Sequence, residues 1–444
     1  MDVFLPKGTR DLLPEQMLGR QQVIDTVKGV FRRHGFEPLE TPAFERIETL
    51  LGKYGDEGDK LIYKILKRGE GAESGQCDLA LRYDLTVPLA RVMAMNPGLR
   101  LPFRRYQIQP VWRADRPQKG RFREFWQCDV DIVGTTSAIA EAECLAVVAD
   151  ALQTLGFTQY TIRLNDRRIL RALARRAGAS TSTEETRILV ILDKLDKIGR
   201  DGVDRELHDA GVPEAERSRF FDVVSISGSN DARLEALAAV LGPDVADGVA
   251  TLRQVLATAA ALGVPAERLE IDPTLARGLD YYTGPVFETV VDEPRVGSIS
   301  GGGRYDELIG MFSGKPLPAV GVSLGLERII AVMDELGMLP KTSTTTEVLV
   351  TVYGPETQTA ALNVAEALRR GGISTEVYAD DAKLGKQLKY AHSRGYPWVL
   401  VLGPDEAKSG VVSIKALGTG EQFSLPVPEA IEKIRSARTG TQAE

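Results

Sequence analysis

Two neighbouring strand-like segments with a shared polar face constrain the fold of this chain more than any other feature. Residues 102–134 contain both segments on either side of the polar stretch 115–120, which predicts an antiparallel hairpin. The odd positions of the two segments are mostly polar: Arg105, Gln107, Gln109, Arg113, Arg121, Arg123, Gln127, Asp129 and Asp131. Because side chains alternate faces along a strand, one face of the hairpin carries cations, amides and carboxylates.

This polar face has two interpretations. An antiparallel sheet commonly exposes one face to water, and a solvated face is the ordinary explanation. However, Trp112, Trp126 and Phe122 are large side chains for strands that only skim a surface. Charges of both signs also suit a zwitterionic or phosphate-bearing ligand, because guanidinium groups bind phosphate oxygens and carboxylates bind ammonium or imidazole N–H groups.

Composition excludes several classes of protein. The chain has 444 residues, 43% of them hydrophobic, with 55 Lys and Arg against 62 Asp and Glu, and a formal net charge of −7. These values are typical of a globular protein of roughly three domains at about 150 residues each. They exclude fibrous and disordered classes. The acidic balance argues against general coating of nucleic acid but leaves open a local basic surface for one particular RNA, and we expect no DNA partner.

We expect a cytoplasmic protein without a membrane segment. No apolar run approaches the roughly 18 residues that cross a bilayer, and the first 20 residues lack a secretory apolar segment. The cysteines Cys77, Cys128 and Cys144 match neither a disulfide framework nor a zinc site, and we interpret them as packing residues.

The pattern of helices and strands predicts a chain in several parts. Residues 1–166 alternate helical and strand patterns, and strand patterns return in residues 265–338. The intervening residues 167–264 are helical throughout, which predicts a helical insertion. Residues 339–347 have the Pro, Ser and Thr content of a linker, and residues 348–444 alternate strand and helix as in a small, mainly parallel α/β domain.

Three later segments share the character of the hairpin. ARGLDYYTGPVFE places Arg277, Tyr281 and Tyr282 next to a strand, and AVGVSLGLERII leads from a strand into a helix that begins with Glu327 and Arg328. SISGGGRYDELI predicts a strand, three glycines and a helix that begins near Tyr305.

Familiar nucleotide and catalytic motifs do not fit. GMFSGKP is one residue short of a P-loop and ends in Pro where Ser or Thr would bind magnesium, and GGGRYD lacks the last glycine of a dinucleotide motif. The histidines His34, His208 and His392 lie outside the polar segments without spaced partners, so hydrolytic triads and histidine-ligated metals have no support. If ATP binds, arginines on an antiparallel sheet bind it.

These segments resemble class II aminoacyl-tRNA synthetases. Arg113 with Arg121 to Glu124 is similar to motif 2, Pro42 in FEPLETPAFE to motif 1, and GLERI around Arg328 to motif 3. ARGLDYY, SGGGRYD and LPKGTRDLLP further resemble peptides of the histidyl-tRNA synthetase family. The likeness spans essentially the whole chain.

The resemblance implies an α+β fold: a class II synthetase-like antiparallel sheet with flanking helices, an inserted helical domain and a C-terminal α/β anticodon-binding domain. The implied enzyme is a histidine–tRNA ligase, which converts histidine and ATP, with Mg²⁺, to histidyl-adenylate and transfers the histidyl group to the 3′ end of tRNA(His). The motif 1 likeness further implies a homodimer. No metal site made by the protein alone is expected.

The resemblance also assigns site residues. Arg113 and Arg277 would act at the α-phosphate and the reacting carboxylate, and Arg121 and Arg328 would hold the γ-phosphate. The implied histidine-binding residues are Asp84, Thr86, Gln127, Asp131, Arg277, Tyr281 and Tyr282, with Asp131 and Tyr282 at the imidazole. Arg116 and Gln118 resemble the positions that meet the tRNA acceptor end. Asp84, Asp115 and Asp131 stand where the family often has glutamate.

Two other functions share these features. A synthetase-like regulatory subunit of histidine biosynthesis would keep the fold, although the retained Arg113, Arg277 and Arg328 argue against it. A non-catalytic histidine or tRNA sensor would bind ligand without histidine-dependent exchange of pyrophosphate into ATP.

Overall fold

The computed structural model describes residues 3–118, 120–279, 281–294, 296–339 and 344–440. Within them the chain divides into two compact units, one made of residues 3–10 and 23–339 and the other of residues 11–22 and 344–440. Asp280 of ARGLDYY and residues 340–343 of the predicted linker lie outside the described residues.

An eight-stranded sheet forms the centre of the first unit. Its strand order is β1-β5-β6-β11-β10-β9-β7-β8, and every pair is antiparallel except β1 with β5 and β7 with β8. The strands are β1 Glu37–Pro38, β5 Phe103–Trp112, β6 Glu124–Val133, β7 Thr161–Asp166, β8 Leu269–Ile271, β9 Pro285–Val290, β10 Ser300–Arg304 and β11 Ala319–Gly325. The predicted hairpin of residues 102–134 is therefore present as β5 and β6.

Helices and a small second sheet surround the central sheet. The helices outside the insertion are α1 Pro14–Arg33, α2 Ile47–Leu50, α3 Gly55–Lys60, α4 Glu70–Glu73, α5 Thr86–Met95, α6 Ala138–Thr154, α13 Gly310–Ser313 and α14 Leu326–Glu335. A three-stranded sheet in the order β2-β4-β3 consists of β2 Phe44–Arg46, β3 Lys64–Leu66 and β4 Cys77–Leu81. Among the described residues, every helix is too short or too polar to cross a bilayer.

The segment between β7 and β8 contains six α-helices. They are α7 Arg167–Arg176, α8 Ser182–Leu192, α9 Leu195–Asp209, α10 Glu214–Val224, α11 Asn230–Leu241 and α12 Ala246–Ala261. Asp166 begins α7 by accepting a hydrogen bond from the Arg168 amide at 2.8 Å, and Thr181 with Glu184 forms a capping box at α8. Because β7 and β8 are parallel neighbours, the helical segment leaves and re-enters the sheet at adjacent strands.

The carboxyl-terminal residues form a five-stranded sheet in the order β13-β12-β14-β15-β16. The strands are β12 Val348–Val350, β13 Thr375–Val377, β14 Trp398–Val401, β15 Val411–Ala416 and β16 Gln422–Pro426, and the helices are α15 Pro355–Arg370, α16 Leu384–Ser393, α17 Pro404–Ser409 and α18 Val427–Gly440. The first three strands are parallel, as the alternating pattern predicts. The antiparallel β15 and β16 complete the sheet, and the sequence pattern did not reveal them.

The hydrophobic core lies against one face of the central sheet. The even-numbered Cys128, Val130 and Ile132 of β6 are buried there against α6 and the helices of the insertion. The opposite face has the odd-numbered polar residues, and the register pairs Arg105 with Asp131, Gln107 with Asp129 and Gln109 with Gln127.

The polar face of the hairpin is not a solvated surface. Arg105 and Gln107 are both 0% exposed, and Asp129 and Asp131 are also buried. The solvated-face interpretation is therefore wrong, because other parts of the fold cover this side of the sheet and enclose a cavity over it. Buried charges must be paired or bound by a ligand, which makes this face a candidate site.

The three glycines of SISGGGRYDELI lie inside β10 and do not precede a helix. The predicted helix near Tyr305 is wrong: helix α13 begins at Gly310, and the Tyr305 amide donates to the Ala319 carbonyl at 2.7 Å. A Cβ atom at Gly302 would lie 2.7 Å from the Cα atom of Val322 and would collide with the Gly321 carbonyl on the neighbouring strand. Glycine is thus required there by the close approach of two backbones.

We expect Gly302→Ala to lower the free energy of unfolding by about 3 kcal/mol, because the added methyl group must displace the main chain of a central strand. Urea denaturation measures this change. Gly29→Ala is the control: Gly29 lies in α1, and a Cβ atom there would meet nothing within 4 Å. The free energy of unfolding of this control should rise by about 0.5–1 kcal/mol. Equal effects of the two substitutions would contradict the close approach of the two backbones at Gly302.

Candidate active site

A cavity of about 1130 Å³ lies over the polar face of the central sheet. Eleven of the twelve site residues predicted from the sequence line it: Asp84, Thr86, Arg113, Gln118, Arg121, Gln127, Asp131, Arg277, Tyr281, Tyr282 and Arg328. Arg116, the twelfth, is an exposed residue of the loop between β5 and β6 and is not part of this lining. The fold therefore brings together side chains that are as much as 244 residues apart in the sequence, from Asp84 to Arg328.

Four arginines converge at one end of this cavity. Burial lowers the pKa of Arg328 below its ordinary value, and the positive charges of Arg277, Arg121 and Arg113 lower it further. The four positive charges therefore lie near enough to one another to interact. A ligand that carries several negative charges, such as a triphosphate, would relieve their repulsion.

Carboxylates and carbonyls hold the arginines in place. Arg277 Nη1 lies 2.7 Å from Glu288 Oε1 and donates to Ser298 Oγ at 2.8 Å. Arg328 donates to the Ser298 carbonyl, so the two guanidinium groups share one residue as an anchor. Arg277 can lie flat on β10 because Gly301 has no side chain at that point.

The connection between β5 and β6 contributes the other two arginines. Arg121 donates through Nε and Nη2 to Asp115 Oδ2, at 3.0 and 2.9 Å. The shorter Asp115 side chain therefore reaches Arg121 despite standing where the family often has glutamate. Arg113 lies over the ring of Tyr83, at 4.2 Å from its centroid, and donates to the Tyr83 carbonyl at 3.0 Å.

An acceptor wall of Gln127, Asp129 and Asp131 forms the β6 side of the cavity. These residues follow one another on the same face of the strand, and all three are buried. Gln127 donates to Ser323 Oγ at 3.1 Å. Asp131 accepts a hydrogen bond from Tyr305 and lies 2.7 Å from Arg105 Nη2.

Burial is the main influence on the pKa values of the two carboxylates in the acceptor wall. It raises the pKa of Asp131, and it raises the pKa of Asp129 to about 7 with a further contribution from the Asp131 charge. Arg105 opposes both shifts. One guanidinium group faces two carboxylates here, which leaves the wall short of positive charge and suited to a cationic or N–H-rich ligand.

Asp84 lies on another side of the cavity, next to the first turn of α5. It accepts hydrogen bonds from Tyr54 Oη at 3.1 Å and from the Val87 amide at 3.0 Å. Burial raises the pKa of Asp84. Tyr281 and Tyr282 pack with their ring centroids 4.7 Å apart, and burial raises the pKa of Tyr282 to about 12, so both hydroxyl groups stay protonated at neutral pH.

Several residues of this site have no role assigned to them by the sequence or by the resemblance. Arg105, Asp129 and Tyr305 contact or belong to the acceptor wall, and the odd-position pattern of the hairpin was the available signal for the first two. Glu288 and Ser298, which position Arg277, have no comparable signal in the sequence.

The amino-terminal segment, residues 8–10, contacts the elements that carry Arg121 and Arg328. Arg10 forms an ion pair with Glu327, and Glu327 also accepts from the Trp126 amide at 3.2 Å, so β6 and α14 are joined next to Arg328. The Arg123 amide donates to the Gly8 carbonyl at 2.8 Å, which ties the end of the motif 2 loop to the same segment. The conformation of the loop therefore depends on residues that are far from it in the sequence.

A mainly antiparallel sheet with converging arginines beside buried acceptors for an amino acid is the arrangement of a class II aminoacyl-tRNA synthetase. Comparison with known proteins identifies the family. The histidyl-tRNA synthetase family matches residues 8–329, and the anticodon-binding domain family matches residues 347–437. The chain belongs to the histidyl-tRNA synthetase family.

Individual proteins agree with this assignment. The chain is 42% identical to a histidine–tRNA ligase of Cytophaga hutchinsonii, over 97% of this chain and 99% of that protein. It is 43% identical to a histidine–tRNA ligase of Gloeobacter violaceus, over 95% and 96%. The crystal structure of histidyl-tRNA synthetase from Nostoc sp. PCC 7120 matches with a TM-score of 0.85 and 33% identity, over 98% of this chain and 100% of that one.

A fourth protein shares the fold alone. A Bacillus halodurans protein described as an ATP phosphoribosyltransferase regulatory subunit/histidyl-tRNA synthetase matches with a TM-score of 0.71 at 23% identity, over 90% of this chain and 97% of that one. The fold class, the family and the ligase function predicted from the sequence are confirmed.

We expect Asp129→Asn to stabilise the protein at neutral and alkaline pH. The folded pKa of Asp129, about 7, is higher than the value of about 3.9 in an unfolded chain, so ionisation of Asp129 costs folding free energy as pH rises between these values. The advantage of the variant should grow from about pH 4 to pH 7 and then level off, at no more than roughly 4 kcal/mol. Urea denaturation at pH 5, 6, 7 and 8 measures this difference.

Asp78→Asn is the matched control, because Asp78 is an exposed aspartate on β4. Its effect on stability should be small at each pH. A constant difference between Asp129→Asn and the parent protein at all four pH values would contradict the assigned environment of Asp129.

Proposed function

We propose that this ligase activates histidine in the cavity over the central sheet, with the four converging arginines as the groups that make the step possible. The observation that carries the proposal is the convergence of Arg113, Arg121, Arg277 and Arg328 on one side of a cavity whose other side is the acceptor wall. Cations for a triphosphate and acceptors for an amino acid therefore face the same space.

The first step needs electrostatic stabilisation and no general base. The carboxylate of histidine is already ionised at neutral pH. One of its oxygens attacks the α-phosphorus of ATP, the bond from that phosphorus to the bridging oxygen breaks, and pyrophosphate leaves with the electron pair. Negative charge accumulates on the phosphate oxygens during this step, and fixed positive groups lower its energy.

The arginines divide between the phosphates. Arg113 and Arg277 act at the α-phosphate and the reacting carboxylate, and Arg121 and Arg328 hold the γ-phosphate. Asp115 and Glu288 keep Arg121 and Arg277 extended toward the cavity before ATP arrives. Such preorganisation removes part of the cost of ordering long side chains when the substrate binds.

ATP enters as its magnesium complex, which is the substrate of this reaction. The described residues contain no group of three or more His, Cys, Asp or Glu side chains that could hold a metal ion by themselves. A magnesium ion would therefore depend on phosphate oxygens for most of its ligands. Glu288, which lies next to Arg277 in the cavity lining, is the carboxylate that would contribute a protein ligand. Magnesium would neutralise phosphate charge that the arginines leave uncompensated.

Histidine binds along the acceptor wall. Asp84, Thr86 and Gln127 bind its ammonium and carboxylate ends, and Asp131 and Tyr282 bind its imidazole, with Tyr281 packed against Tyr282. A site that hydrogen-bonds a polar side chain can reject analogues without it by about 10⁴–10⁵, so this site needs no separate editing domain.

The second step transfers the histidyl group to tRNA(His). A ribose hydroxyl oxygen at the 3′ end attacks the carbonyl carbon of the adenylate, the bond from that carbon to the phosphate oxygen breaks, and AMP leaves with the electron pair while the hydroxyl proton passes to solvent. Gln118 at the cavity lining and the exposed Arg116 are the proposed contacts for the acceptor end. The carboxyl-terminal domain binds the anticodon through base stacking and base-edge contacts.

We expect Arg277→Ala to lower the rate of histidine-dependent ATP–pyrophosphate exchange by about 10²–10³, because one fixed positive charge at the reacting centre is lost. Arg277→Lys keeps the positive charge but lacks the planar guanidinium group, so its exchange rate should lie between the rates of the parent protein and Arg277→Ala. Arg253→Ala, at an exposed position of α12, is the control and should leave the rate unchanged. Unchanged exchange in folded Arg277→Ala would remove Arg277 from the mechanism.

The protein acts as a cytoplasmic homodimer in this proposal. Phe44 and Leu66 are exposed apolar residues of the three-stranded sheet that follows the motif 1 resemblance at Pro42, and such a surface favours association. Sedimentation velocity at micromolar concentration should give the mass of two chains. A single species with the mass of one chain would contradict the homodimer.

A further inference from the structure

The acceptor wall contains one carboxylate to which the proposed mechanism assigns no task. Gln127 and Asp131, which each take a part of histidine above, lie on either side of Asp129 along β6. Gln127 Oε1 and Asp129 Oδ1 are buried and, among the described residues, have no hydrogen-bond donor, whereas Asp131 Oδ2 lies 2.7 Å from Arg105 Nη2. Two neighbouring acceptors on this face of β6 are therefore left for donors from a ligand.

The negative charge of Asp129 is less well compensated by neighbouring groups than that of Asp131. Asp131 accepts from Tyr305, and its other oxygen lies 2.7 Å from Arg105 Nη2. The shortest distance from Asp129 to the same guanidinium is 3.9 Å, to Oδ2. A hydrogen bond with Ser323 stabilises the ionised form of Asp129, yet Oδ1 has no donor within the described residues.

A buried carboxylate oxygen without a donor is costly to the folded protein. Removal of a charged acceptor from water without a replacement hydrogen bond costs more than it does for a neutral group, for which about 1–3 kcal/mol is typical. Asp129 is only 3% exposed, so bulk water does not satisfy it. Because Asp129 also lines the cavity, a donor group of a bound ligand can supply the missing hydrogen bond.

The position of Asp129 identifies that partner. A strand rises by about 3.3 Å per residue, so the Cα atoms of Gln127 and Asp131 are roughly 13 Å apart and Asp129 lies midway between them. A histidine molecule whose carboxylate lies near Gln127 and whose imidazole lies near Asp131 passes directly over Asp129. The groups of histidine that can donate hydrogen bonds are its ammonium and its imidazole N–H.

We propose that Asp129 is a further histidine-binding residue, whose carboxylate accepts a hydrogen bond from an N–H group of the bound amino acid. The proposal rests on the function proposed above and adds one residue to its substrate site. Asp129 and Asp131 together form a two-carboxylate recognition element, and Arg105 neutralises one of the two negative charges. The substrate supplies the missing donor.

Kinetic parameters of Asp129→Asn test this assignment. The amide replaces an anionic acceptor by a neutral group of the same shape, so the KM for histidine in ATP–pyrophosphate exchange should rise by about 10-fold or more. The KM for ATP should stay within about 2-fold, because ATP contacts the arginine side of the cavity. Asp78→Asn, at the exposed position on β4, should match the parent protein in both values.

Two histidine analogues identify the donor. Histidinol keeps the ammonium and the imidazole, whereas imidazolepropionate keeps the imidazole and lacks the ammonium. If Asp129→Asn weakens inhibition by both, Asp129 accepts from the imidazole; if it weakens only histidinol, Asp129 accepts from the ammonium. Both results support the proposal. Unchanged inhibition by both analogues, together with an unchanged KM for histidine, would overturn it.

Direct binding separates this proposal from the function on which it rests. Isothermal calorimetry of histidine with the full-length parent protein and with Asp129→Asn measures affinity without any chemical step. Equal affinities in parent and variant would overturn the role of Asp129 even if exchange is active. Absence of exchange in the parent protein would instead contradict the proposed function. Asp129→Ser provides a second variant, and it should weaken histidine binding in the same direction.

Discussion

Repulsion among like charges is the constraint on which the rest of this structure depends. Four guanidinium groups share one end of a cavity, and two carboxylates share one guanidinium at the acceptor wall. Neither cluster would persist in a flexible chain. The central sheet holds both, because β6, β10 and β11 fix the backbone through a continuous hydrogen-bonded register, and Asp115, Glu288 and Ser298 anchor the arginines. The free energy to maintain these charges comes from the hydrophobic core on the opposite face of the sheet.

The site therefore illustrates a conflict between stability and function that is open to measurement. Burial raises the pKa of both wall carboxylates, so the ionised acceptors that suit an ammonium or imidazole destabilise the unliganded fold. Histidine and ATP bring the opposite charges. Binding should then strengthen the very region that electrostatic repulsion weakens, because each substrate compensates one of the two clusters.

The hairpin was predictable because its information is local. Alternation along residues 102–134 predicts two strands, their pairing and the shared face of Arg105 and Asp131, and the register confirms each of these. Its burial was not predictable, because the elements that enclose the cavity come from distant parts of the chain. The wrong prediction of a helix near Tyr305 has the same cause, a contact between distant parts of the chain. Three glycines next to a strand suggest a turn, and only the neighbouring backbone at Gly321 shows why Gly302 must lack a side chain within the strand.

The alternation of polar and apolar residues was not enough to assign roles to the site residues, and the family resemblance was needed as well. Arg113 and Arg121 follow from the hairpin, but nothing local to Arg277 or Arg328 indicates that they meet the same anion. Amino-acid-dependent exchange of pyrophosphate into ATP, measured separately with each of the twenty amino acids, shows which of them the site activates. We expect exchange with histidine and not with the other nineteen. Exchange with none of the twenty, or faster exchange with another amino acid, would contradict the proposed function.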